Sequence, residues 1–99
     1  MTIRENQVIK TILGRRSIRK FTADPVSPEI RDLLLECGCA APSAHNRRPC
    51  VFIAIEDRKV LDDLAEAHDS GKMLRQAPLA IAVCAETAGY PEGDRAWVE

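Results

Sequence analysis

Two short apolar runs, Cys50–Ile55 and residues 79–85, constrain this chain more than any other feature. Each lacks the polar alternation of a half-exposed strand, and the first is rich in β-branched residues. That pattern predicts two strands buried on both faces. Both runs are far too short to cross a bilayer, so their surface must be covered by protein. At 99 residues there is room for one small domain, which buries a smaller share of its surface than a larger one does. No internal repeat, low-complexity tract or dividing linker is present.

The covering elements are readable as helices. Val8, Ile9, Ile12 and Leu13 recur at helical spacing, which predicts a first helix over residues 5–14 with Gly14 as its stop. Asp24-Pro25 breaks the chain. Ser27-Pro28 then starts a second helix, with serine as N-cap and proline at the first helical position. Ile30, Leu33, Leu34, Cys37 and Ala41 form a stripe which that helix should bury, and Pro42 ends it. Asp57 caps a third helix with Val60, Leu61, Leu64 and Ala65 on its inner face. His68-Asp69-Ser70-Gly71 breaks it, and residues 72–76 form a short helical turn closed by Pro78. Residues 87–94 are expected as an exposed loop, with Asp94 capping a last helix that begins Arg95-Ala96-Trp97-Val98.

Charge is concentrated in one place. The formal net charge is only -1, yet Arg15-Arg16-Ser17-Ile18-Arg19-Lys20-Phe21 packs four cations and a hydroxyl into seven residues. Arginine offers a planar fork of donors suited to phosphate oxygens, and serine adds a hydroxyl donor. A phosphate grip is one reading. A solvated basic turn is the other, and the dipole of the preceding helix favours cations there even without a ligand. The polar loop over residues 42–49 has prolines at both ends and small residues at Ser43 and Ala44, which would let a planar ligand approach the backbone. Asn46 can donate and accept through one amide; a solvent-facing turn accounts for it equally.

Three stretches occur in order: Arg15-Arg16-Ser17-Ile18-Arg19-Lys20-Phe21; Pro42-Ser43-Ala44-His45-Asn46-Arg47-Arg48-Pro49; and Lys72-Met73-Leu74-Arg75-Gln76-Ala77-Pro78. Together they resemble the FMN-dependent nitroreductase family. The resemblance implies an α+β nitroreductase-like fold, with helices packed on a small sheet and residues 1–99 as the N-terminal part of a single domain. It implies a homodimer with FMN at the interface, NAD(P)H as co-substrate, and hydride passed through the flavin to nitroaromatics, quinones or related acceptors in a ping-pong cycle. Arg15, Arg16, Ser17 and Arg19 match the first FMN-contacting segment. Arg15 and Ser17 would hold the phosphate or ribityl chain, and Arg19 with Lys72 would lie toward the pyrimidine side of the ring. Pro42, Ser43 and Asn46 match the loop that reaches the flavin of the other subunit. No catalytic side chain is expected, because the cofactor carries the chemistry. The chain departs from the pattern at Arg48 and Cys50, where relatives carry glutamine and tryptophan, and at Asp69, where some carry an amide. The later flavin-binding segments of the family have no counterpart in this sequence. A non-catalytic role in folding or association is the alternative.

Composition excludes other classes. With a sequence pI of about 6.1 and few aromatics for stacking, a nucleic-acid contact is disfavoured. The N-terminus lacks an apolar signal core, and no membrane segment is present, so a cytoplasmic protein is expected. Cysteines at 37, 39, 50 and 84 have no metal-ligand spacing and are expected to be buried free thiols.

Overall fold

In the computed structural model, described for residues 2–43, 46 and 48–86, the apolar runs pair with each other. Strand β1 (Cys50–Ile55) and strand β2 (Ala80–Ala85) form an antiparallel two-stranded sheet. Cys50 stands opposite Ala85, Phe52 opposite Val83 and Ile55 opposite Ala80. One further bond, from Glu86 N–H to the Pro49 carbonyl at 2.8 Å, extends the ladder past Cys50.

Three helices accompany the sheet: α1 (Gln7–Gly14), α2 (Pro28–Cys39) and α3 (Arg58–Ala67). Local capping sets their starts. The Ser27 hydroxyl accepts from Ile30 N–H at 3.2 Å, and the Asp57 carboxylate accepts from Lys59 and Val60 N–H at 2.9 and 3.2 Å. Both caps stand where the sequence places them. The first helix starts later than expected. Asn6 accepts from Val8 and Ile9 N–H, caps α1, and separates it from a 3-10 segment at Ile3–Glu5. The second helix stops at Cys39, before Pro42, as the restriction that proline places on the preceding backbone favours. Ala41 therefore falls outside it.

The best-packed region lies between α3 and the 3-10 segment Asp69–Arg75 that follows it. Leu61, Ala65 and Ala77 are buried there, while Leu64 is half-buried and Val60 exposed. Arg58 ties the two pieces together. Its guanidinium donates to the carbonyls of Leu74 and Ala77 and pairs with Asp62. Arg75 pairs with Glu66 across the same junction at 2.9 Å.

Burial elsewhere differs from expectation. The α2 stripe is open: Ile30 is 54% exposed and Leu33 57%. β1 and β2 are strands, but not buried on both faces, with Val51 and Ile53 on β1 and Val83 on β2 exposed. Cys37, Cys39, Cys50 and Cys84 are free but exposed, not buried. The reason is common to all three. A two-stranded sheet with α2 against one side supplies too few layers to cover what the sequence makes apolar. The expected loop over residues 87–94 and the helix from Arg95 lie outside the described residues. No described helix is long and apolar enough to cross a membrane.

Candidate functional site

The basic segment follows α1 as irregular chain running toward α2. Its cations are exposed, and among the described residues no carboxylate pairs with Arg15, Arg16, Arg19, Lys20 or Lys72. A cation left to solvent at several consecutive positions keeps its donors available for an anionic ligand. Arg16 alone turns back on the chain, donating to the Arg15 carbonyl at 3.2 Å.

Folding carries the far end of this segment to the 3-10 segment after α3. Arg19 and Lys20 line an open groove of about 660 Å³ together with Asp69, Ser70, Lys72, Met73 and Gln76. That volume is within the range of ligand clefts, about 300–1,000 Å³. Arg19 and Lys72, far apart in sequence, thus face one space. The backbone kinks at Gly71 beside Lys72, and a Cβ there would lie 3.1 Å from the His68 Cβ, a closeness that favours glycine. Three cations and one carboxylate give the groove a positive balance.

Arg15, Arg16 and Ser17 do not line the groove; they precede it on the same exposed strand of chain. Pro42 and Ser43 lie apart again, on a smaller pocket of about 190 Å³ between the end of α2 and the start of β1. The loop there is held by its own bonds. The Ser43 hydroxyl accepts from Arg48 N–H at 2.9 Å, the Ser43 carbonyl accepts from Asn46 N–H at 3.0 Å, and the Asn46 carboxamide oxygen accepts from Arg48 Nε at 3.2 Å. Asn46 and Arg48 adopt φ of 55° and 52°, the left-handed region that asparagine tolerates better than arginine. Within one chain, then, the predicted residues form a pair lining one groove, an exposed basic segment and a separate loop.

Lys20, Ser70, Met73 and Gln76 line the groove without having been singled out as site residues. Lys20 belongs to the basic cluster, and the other three flank or adjoin Lys72, so their sequence neighbours were the available signal. Among the described residues, no group of His, Cys, Asp and Glu is placed to hold a metal ion.

The class defined by this arrangement is an α+β fold with a cationic groove where an N-terminal basic segment meets a helical turn. Residues 12–88 match the model of the nitroreductase family, and the chain belongs to that family. It is 38% identical over 81 residues to a candidate NADH dehydrogenase/NAD(P)H nitroreductase of Methanothermobacter thermautotrophicus, covering 82% of this chain and 42% of that one. The crystal structure of a candidate NADH dehydrogenase/NAD(P)H nitroreductase from Parabacteroides distasonis superposes with a TM-score of 0.84 at 44% identity, covering 94% of this chain and 54% of that one. A candidate nitroreductase of Desulfovibrio desulfuricans, solved in complex with FMN, gives 0.78 at 39% identity, with 92% and 54% covered. The chain thus has the nitroreductase fold and spans about half the length of these relatives.

Proposed function

We propose that this chain contributes to an FMN-dependent NAD(P)H oxidoreductase. The observation that carries the reading is the meeting of Arg19 and Lys72 across one groove, beside an exposed basic segment. The groove fits the cofactor's chemistry. Cations that pair with no carboxylate among the described residues suit its anionic and carbonyl oxygens, Met73 offers an apolar contact, and Gln76 and Ser70 offer hydrogen bonds. Asp69 is the one lining group of the wrong sign for a phosphate. The D. desulfuricans complex with FMN and the NAD(P)H nitroreductase name of the other relatives support the same choice of cofactor and reductant.

Bound FMN would take a hydride from NAD(P)H and deliver it to a nitroaromatic, quinone or related acceptor, in alternation at one site. The chain's own residues bind and bias. Arg15 and Ser17, with Arg16 in the same segment, would hold the phosphate or ribityl chain. Arg19 and Lys72 would lie toward the pyrimidine edge, where a positive charge favours the reduced, anionic state. Pro42, Ser43 and Asn46 would reach the site of a second subunit in a homodimer, which accounts for their separation from the groove within one chain.

The test is NAD(P)H consumption by the chain with FMN and a quinone acceptor. Activity that falls when Arg19 and Lys72 are both replaced by alanine is expected. A folding or association role without catalysis is the second reading, favoured by the small buried core. Complete inactivity with flavin, reductant and acceptor present would select it.

A further inference from the structure

The small pocket beneath the loop contains chemistry that hydride transfer does not use. Cys39 ends α2, Cys50 opens β1, and both line this one pocket. That they line one pocket follows from how α2 lies on β1. Gly38 lets α2 lie against the Phe52 ring, and a Cβ at Gly38 would stand 3.0 Å from Phe52 Cε1. Cys50 and Phe52 are two apart on β1 and share the face that α2 meets, while Cys39 is the neighbour of Gly38. The other two thiols are set apart by the pocket's lining, which includes neither. Cys37 is turned about 200° around α2 from Cys39 and does not line the pocket. Cys84 stands opposite Val51, so it belongs to the other face of the sheet. All four thiols are free and exposed, and Cys39 and Cys50 share a pocket among the described residues. Ser43 and Arg48 line it too, so the pair sits directly under the loop that they brace.

We propose that Cys39 and Cys50 are a redox-modified thiol pair, which a hydroperoxide joins into a disulfide that fastens the loop between α2 and β1. One thiolate attacks the peroxide, the O–O bond breaks, and a sulfenic acid forms with release of an alcohol or water. The second thiolate attacks that sulfur, the S–O bond breaks, and water leaves. Two electrons pass from the thiols to the peroxide, and both thiol protons end in the released products. Reduction by a dithiol reverses the bond through thiol–disulfide exchange.

The test uses the intact 99-residue chain, fully reduced, exposed to stoichiometric hydrogen peroxide. Remaining thiols are blocked by alkylation, and peptides are mapped by mass spectrometry without reduction. The expected result is an intrachain Cys39–Cys50 link, with Cys37 and Cys84 alkylated and all four thiols recovered after dithiothreitol. The proposal is overturned by Cys39 and Cys50 both remaining alkylatable, by equal linkage through Cys37 or Cys84, or by links between chains. No flavin enters the measurement, so its failure leaves the oxidoreductase reading standing, and failure of that reading leaves this one standing.

Discussion

At the scale of single residues, the groove sets apart side chains that hold a ligand from those that hold the fold. Lys72 and Arg19 touch no carboxylate among the described residues, so replacing either with alanine should leave folding intact and weaken FMN binding. A hydrogen bond to a charged group contributes about 1.5–3 kcal/mol, which predicts a loss of roughly tenfold to a hundredfold per site. Fluorescence titration of FMN reads this, and equal affinity in wild type and variant would remove the residue from the site. Leu61 is the opposite case. It is 1% exposed and central to the α3 packing, so Leu61→Ala should cost about 2–5 kcal/mol, read as a lower denaturant midpoint. Arg31 shows how little an exposed pair contributes to pH dependence. Bonds first to Glu56 and then to Asp32 raise its already high pKa. A raised cationic pKa adds stability below the unfolded value and loses it only as pH rises through the folded one. That window lies beyond the neutral and mildly alkaline range. Salt should loosen this link where pH does not; the gap in thermal midpoint between wild type and Arg31→Ala should shrink as salt rises.

At the scale of elements, caps were legible in the sequence and coverage was not. Ser27-Pro28 and Asp57 act within one turn of their own position, so local pattern was enough to place α2 and α3. Asp57→Ala should cost about 1 kcal/mol, seen as a fall in thermal midpoint, while the same change at exposed Asp63, which caps nothing, should have a smaller effect. Asn6 escaped notice because the apolar period over residues 5–14 overrode a one-residue signal. Burial of the α2 stripe and of both strands was misread because it depends on layers from elsewhere, and apolar character alone does not say what covers it. The pairing of Arg19 with Lys72 was legible only through family resemblance. No local rule links positions so far apart, and the kink at Gly71 beside Lys72 was visible only as a helix break. Gly38 carries its own prediction. Its contact with Phe52 leaves no room for a branched side chain, so Gly38→Val should destabilise the α2–β1 contact by about 1–3 kcal/mol.

For the whole molecule, the balance of buried and open surface argues for association. Leu61, Ala65 and Ala77 form the buried apolar core, whereas Ile12, Leu13, Ile30, Leu33, Ile53 and Val83 are exposed. The Cα radius of gyration is 16.7 Å, against about 13 Å for a compact hundred-residue domain. Apolar side chains left open in this way favour association. Sedimentation should therefore show a dimer or larger species, and a monomer at working concentration would contradict the assembly proposed for the loop. The central claim, that the basic segment and Lys72 build a flavin site, is tested most directly by the visible absorption spectrum of the purified chain after FMN is added and the excess removed. The account predicts a retained flavin band that is lost when Arg19 and Lys72 are both replaced by alanine. A colourless wild-type chain, or a double variant that keeps as much flavin, would contradict it.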